Sequence, residues 1–84
     1  MVSWFVYIVR CSDNSLYCGI TTDLNRRIEA HNSGMGARYT RSRLPVQLVW
    51  HAQTKSKVEA FKEEFRIKRL QKDKKELLVA SYPG

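Results

Sequence analysis

Apolar and polar positions divide the chain into short segments whose period changes along its length. Trp4 to Arg10 is a run of aromatic and β-branched residues closed by an arginine, and it reads as a strand. Ser12-Asp13-Asn14-Ser15 supplies turn chemistry, and Leu16 to Thr21 reads as the return strand of a hairpin. A loop of three residues, Asp13 to Ser15, would pair Ser12 with Leu16, Val9 with Gly19 and Tyr7 with Thr21. Tyr7, Tyr17 and Gly19 would then share one face. A two-residue loop at Asn14-Ser15 would turn one strand over and set Cys11 opposite Cys18, because side chains alternate between faces. An odd-numbered loop is therefore expected.

The period then becomes helical. Thr22 or Asp23 is placed to cap a helix running to about Asn32, with Leu24 and Ile28 as its apolar stripe and Gly34 as its stop. Arg27 and His31 lie one turn apart on an adjoining face. Ser33 to Leu44 reads as a loop closed by Pro45, and Val46 to Ala52 as a third strand. Ser56-Lys57-Val58-Glu59 is a capping box. The helix it starts is expected to bury Val58, Phe61, Phe65 and Leu70, with Ala60, Glu64, Ile67 and Gln71 bordering the core. Asp73-Lys74-Lys75-Glu76 offers a start for a last short helix burying Leu77, Leu78 and Tyr82, and Pro83-Gly84 ends the chain. No repeat, linker or low-complexity stretch interrupts this pattern, so residues 1–84 form a single domain of order ββαβαα.

Charge narrows the class of partner. A chain of 84 residues buries only about 60–65% of the surface its unfolded state exposes, which leaves a thin core with a groove at its edge. The formal charge of +7 and a pI near 9.8 point to an anionic partner. The first 54 residues hold six arginines and no lysine. Arginine's planar fork matches phosphate oxygens, so this half is the phosphate-facing one, with Arg26, Arg38, Arg41 and Arg43 as candidate contacts. A spaced set of arginines around Tyr39 resembles a phosphate clamp, beside the plainer reading of a basic loop. The apolar run Trp4 to Val9 falls well short of the roughly 20 residues a membrane span needs. No targeting segment opens the chain, and two cysteines do not make a disulfide framework, so a reduced, cytoplasmic protein without membrane contact is expected.

Among groups that carry chemistry, Gly19 stands out: glycine inside a strand marks a place where a ligand or another backbone comes close. Tyr7, Tyr17, Arg27 and His31 surround it in the expected fold. Glu63 and Glu64 are nearly equivalent on the residues alone, although Glu64 lies on the helix face that borders the core. Cys11, Cys18, His31 and His51 lack the spacing of a zinc site, so the cysteines read as free thiols and His51 as structural.

In sequence, Val6-Tyr7-Ile8, Tyr17-Cys18-Gly19-Ile20-Thr21-Thr22-Asp23-Leu24, Arg26-Arg27 and His31-Asn32 resemble the GIY-YIG nuclease superfamily, and within it the small stand-alone bacterial UPF0213 proteins. The likeness runs from Trp4 to about Leu78. Ala60 to Lys68 is similar to the family's acidic motif, a glutamate three before an isoleucine and four before a lysine, which selects Glu64. Phe5 and Cys18 replace one residue in each name-giving triplet, and no asparagine follows Glu64, where several superfamily nucleases use one. The resemblance implies an α/β fold of the α+β type, a three-stranded antiparallel sheet flanked by helices. It implies a metal-dependent endonuclease acting on DNA, in repair or recombination. Tyr7 would be general base or steer the attacking water, Tyr17 would position water or phosphate, and Arg27 would neutralise the phosphoryl oxygens. His31 would assist proton transfer, Glu64 would hold one divalent cation, usually Mg²⁺, and Gly19 would keep the floor of the site low. Superfamily nucleases usually carry a separate DNA-binding domain; none is read in this sequence, so either weak cleavage or a protein partner that supplies DNA targeting is expected. The alternative is a nucleic-acid-binding module of the same fold that cuts weakly or not at all.

Overall fold

A computed structural model describes residues 2–82, so the expected stop at Pro83-Gly84 lies outside the described residues. The elements are β1 (Trp4–Arg10), β2 (Leu16–Thr21), α1 (Leu24–Asn32), α2 (Arg38–Arg41), β3 (Gln47–Thr54), α3 (Lys57–Lys68) and α4 (Lys72–Ala80). The order matches ββαβαα except for α2, a single helical turn inside the expected loop Ser33–Leu44. The strands form an antiparallel sheet in the order β2-β1-β3.

The hairpin register differs by two residues from the expected one. Tyr7 pairs with Gly19, Val9 with Tyr17 and Arg10 with Leu16, instead of Tyr7 with Thr21. The loop has three residues, but they are Ser12 to Asn14: the Cys11 amide donates to the Ser15 carbonyl at 2.8 Å. Local chemistry explains the shift. Asp13 accepts from the Ser15 amide two residues on, at 3.0 Å, and Asn14 takes φ +70°, a left-handed conformation that short polar side chains tolerate. A slip of two preserves parity, so Tyr7, Tyr17 and Gly19 do share a face. Cys11 and Cys18 are buried free thiols in opposite cores.

From Trp4 to Val9, β1 is a run of aromatic and branched aliphatic residues because both its faces are covered. Val6 and Ile8 pack with Cys18, Trp50 and Ile67, and Leu78, Val79 and Tyr82 close over them from α4 and the residues after it. Tyr7 and Val9 pack on the other face with Cys11 and Val46, joined by Leu24 and Ile28 of α1. Helix α1 starts where Asp23 accepts the Arg26 amide at 3.1 Å. It leaves through Gly34 at φ +82°.

Helix α3 starts at its capping serine as expected, with Ser56 Oγ accepting the Glu59 amide at 3.2 Å. It buries the other face, however. Ala60 and Ile67 are fully buried, whereas Val58, Phe61 and Phe65 are 62%, 58% and 59% exposed. Ala60 has no side chain beyond Cβ, so this face lets the helix close on β1 and β2, which bulky phenylalanines would hold away. Leu77 of α4 is likewise exposed, against expectation. Arg10 takes both carboxylate oxygens of Glu76 at 2.8 Å, which turns that side of α4 to the sheet and sends Leu77 outward. His51 packs against the Phe5 and Tyr82 rings, a structural position.

Candidate active site

Three of the expected side chains meet beneath Gly19. Tyr7 is the cross-strand partner of that glycine, and a Cβ there would stand 2.5 Å from the Tyr7 hydroxyl. Only glycine leaves room for the phenol. Helix α1 then brings two groups to the same oxygen from successive turns: His31 Nε2 at 2.8 Å and Arg27 Nε, donating at 3.3 Å. Tyr17, on the same sheet face, sets its ring edge-on to His31 with centroids 5.6 Å apart. Behind it Tyr39 stacks on Tyr17 at 5.8 Å, and the Arg43 guanidinium covers Tyr39 at 3.9 Å.

The hydrogen bonds continue past His31. Its Nδ1 lies 2.9 Å from Thr40 Oγ1, and that hydroxyl donates to the Ala37 carbonyl at 2.9 Å. Thr40 and His31 are the buried polar side chains of the described core. Gly36 completes the enclosure, since a Cβ on it would overlap His31 Nδ1 and come within 2.8 Å of its Cγ. Neither Thr40 nor Gly36 is singled out by the sequence pattern. The one available signal was two glycines close after a histidine at a helix end.

Burial governs the protonation states. Tyr7 is fully buried, and desolvation raises its pKa above the usual 10.0 despite the opposing pull of Arg27. His31 shifts below its usual 6.5, first through burial and then through the Arg27 charge. The resting pair is therefore neutral phenol and neutral imidazole. The Arg27 contribution, which lowers the Tyr7 pKa, is outweighed by desolvation.

Beside this cluster runs a groove of about 490 Å³ lined by Thr21, Thr22, Asp23, Arg26, Arg27 and Ala30, among others. Arg27 therefore faces both the phenol and open space, and its terminal nitrogens make no hydrogen bond among the described residues. Arg26 is exposed at the same groove. Arg38 and Arg41 are exposed on α2, with no ion-pair partner among the described residues. Arg43 is instead used internally, donating to Asp13 at 3.1 Å and to the Tyr39 carbonyl at 2.7 Å.

Glu64 stands apart from the other four. It lies between Ala60 and Ile67 on the face of α3 that packs on the opposite side of the sheet, and it shares no hydrogen bond with them among the described residues. Its partner is Lys68, 3.5 Å away. The Lys68 ammonium also lies 5.5 Å from the Tyr17 ring centroid, so the link passes around the edge of β2. The carboxylate's charge reaches Cys18, whose pKa is pushed to about 12, mainly by burial and then by Glu64. Among the described residues no three His, Cys, Asp or Glu side chains gather as a metal cage. A single carboxylate nonetheless fits Mg²⁺, which keeps several waters and borrows phosphate oxygens. Lys68 already places a positive charge beside that carboxylate.

A family model described as the GIY-YIG catalytic domain matches residues 3–76. A UPF0213 protein of Vibrio cholerae is 53% identical over 92% of this chain and 77% of its own length. A UPF0213 protein of Staphylococcus aureus is 51% identical over 94% of this chain and 96% of its own length. The solution NMR structure of a UPF0213 protein from Bacillus halodurans superposes with a TM-score of 0.61 at 49% identity, covering 93% of this chain and 83% of that one.

Proposed function

Since the chain belongs to the GIY-YIG catalytic-domain family, and within it to the UPF0213 proteins, we propose that it hydrolyses phosphodiester bonds in DNA with a divalent metal ion. The observation that carries this reading is the convergence of Arg27 and His31 on one phenol oxygen, at 3.3 and 2.8 Å. A phenol between a permanent cation and a neutral imidazole is a base with a place to send its own proton.

The chain's own groups divide the work as follows. A phosphate entering the groove draws the Arg27 guanidinium to its oxygens, where a planar fork neutralises charge that grows during attack. That movement uncovers the Tyr7 oxygen. The phenol proton passes to His31 Nε2, and the phenolate takes a proton from the attacking water. The resulting hydroxide forms the new bond to phosphorus, the P–O bond to the sugar breaks, and the displaced oxygen takes up a proton from solvent; His31 Nε2 then returns its proton to Tyr7 as the phenol releases one to solvent, which restores the neutral pair. Tyr17 lines the site beside His31 and positions water or phosphate. Glu64 would hold the divalent ion, Mg²⁺ by donor type, which would supply charge neutralisation at the phosphate when bound. Lys68 must then release Glu64 and turn toward the nucleic acid. Arg26, Arg38 and Arg41 provide the exposed cations that track the backbone, and Gly19 keeps the surface low over the phenol.

One observation favours the second reading, a module that binds nucleic acid without cutting it. Tyr7 is fully buried with Arg27 seated on it, so no water reaches the phenol until Arg27 moves. A nicking assay on supercoiled DNA with and without Mg²⁺ separates the two readings. Hydrolysis by the wild type, lost in Glu64→Ala and Arg27→Ala, supports the enzyme. Salt-dependent DNA binding with no cleavage by any of the three supports the module. Equal cleavage by all three identifies a contaminant and removes the proposal.

A further inference from the structure

We propose that Thr40 is a positioning residue that sets the tautomer of His31, holding the neutral ring as Nδ1–H so that Nε2 stays open to the Tyr7 proton. The direction of the hydrogen-bond chain follows from its two ends. Arg27 Nε–H is only a donor, and the Ala37 carbonyl is only an acceptor. Thr40 Oγ1 gives its one proton to Ala37 at 2.9 Å and turns a lone pair to His31 Nδ1, 2.9 Å away. That nitrogen must then carry hydrogen. Nε2 is left with its lone pair toward the Tyr7 hydroxyl at 2.8 Å, and the phenol oxygen accepts from Arg27 at 3.3 Å.

The opposite direction fails on its own count. If Thr40 donated to Nδ1, Nε2–H would point at a phenol oxygen that already receives Arg27 Nε–H. The buried phenol proton would have no acceptor among the described residues, an outcome that buried polar groups avoid. The Ala37 carbonyl is also held by the Thr40 backbone amide at 3.1 Å, so one residue ties both its amide and its hydroxyl to the same oxygen. The hydroxyl cannot rotate freely. His31 and Thr40 are both fully buried, and Gly36 closes the ring against its Nδ1 edge, so no solvent competes for either nitrogen. When the phenol proton crosses to Nε2, the imidazolium keeps its Nδ1–H on Thr40, and nothing in the chain has to reorganise. Helix α2, a single turn in a loop, thus supplies the buried acceptor behind His31.

The cleavage part of this inference rests on the nuclease reading; the tautomer part does not. The test is two-dimensional ¹⁵N–¹H NMR of imidazole nitrogens at neutral pH, with His51→Gln used to assign the two histidines present. Wild type and Thr40→Ser are expected to show His31 protonated at Nδ1 with a bare Nε2. Thr40→Val removes the acceptor that holds Nδ1–H, so each tautomer then leaves one buried proton unpaired and the form with hydrogen on Nε2 is expected to become populated. Nicking at neutral pH should fall about 10–100-fold in Thr40→Val, the size seen when the outer hydrogen-bond partner of a metal-bound histidine is removed, and return in Thr40→Ser. Should Thr40→Val not fold, the wild-type spectrum still decides: hydrogen on Nε2 in the wild type overturns the proposal. So does a Thr40→Val spectrum unchanged from wild type. The expected spectra with no cleavage by wild-type protein would uphold Thr40's role and overturn the nuclease reading alone.

Discussion

Gly19→Ala is the sharpest perturbation of the site that adds only one methyl group. The new Cβ would stand 2.5 Å from the Tyr7 hydroxyl oxygen, 2.8 Å from Cζ and 3.0 Å from Cε1. Three contacts inside van der Waals distance demand movement, and neither partner moves cheaply. Tyr7 is fully buried on the central strand, and its hydroxyl is anchored to His31 and Arg27. Overpacking of this kind costs about 1–3 kcal/mol. In a domain of this size that lowers Tm by about 4–24 °C, at about 4–8 °C per kcal/mol. Circular dichroism melts of Gly19→Ala, Tyr7→Phe and the double variant measure it. Removing the hydroxyl deletes the nearest atom but leaves Cζ, so the alanine should cost less, not nothing, in the phenylalanine background. Coupling of at least about 0.5 kcal/mol is expected for groups in direct contact. Gly34→Ala is the control: φ is +82° with nothing within 4 Å, so it loses stability through backbone strain alone and leaves cleavage unaltered. An alanine at 19 that melts with wild type, or a cost indifferent to the Tyr7 hydroxyl, refutes the close approach.

Two further outcomes follow from burial. His31 is depressed below 6.5, so the unfolded chain binds the extra proton first, and its contribution to stability, whole above pH 6.5, is lost as pH falls below that value. Tyr7 is raised above 10.0, so its contribution is whole below pH 10 and is lost as pH rises above it; urea titrations across both windows check the signs, with Tyr7→Phe reducing the alkaline loss and the buried Cys18 thiol, raised to about 12, keeping the remainder. On α3, Phe61→Ser and Phe65→Ser should each cost within about 0.5 kcal/mol, whereas Ile67→Ala should cost about 2–5 kcal/mol; chemical denaturation that ranks them the other way would restore the phenylalanines to the core.

The local signals in the sequence located the elements well. The Ser56 capping box, the Asp23 cap and the β-branched run of β1 each report backbone chemistry that acts within a few residues, and each element formed there. Which face of α3 turns inward is a different kind of question. It depends on how near the helix axis comes to the sheet, and that favoured Ala60 over Phe61 and Phe65. Hydrophobicity alone pointed the other way. In the site, parity in the hairpin was enough to place Tyr7, Tyr17 and Gly19 together, even with the register displaced by two. Arg27 and His31 were legible from helical spacing. Thr40 was not, because its contact with His31 is made across a loop whose path no periodicity encodes. Glu64 was chosen through family likeness, and its place around the edge of β2, bound to Lys68, reflects packing between elements far apart in sequence.

The most direct measurement is the single-turnover rate of DNA nicking in Mg²⁺ by wild-type protein and by Tyr7→Phe, with both shown to fold by the same NMR fingerprint. Loss of a general base should slow the phenylalanine variant by about 10²–10⁴-fold with DNA affinity retained. Cleavage by Tyr7→Phe at the wild-type rate would contradict a phenol base held between Arg27 and His31.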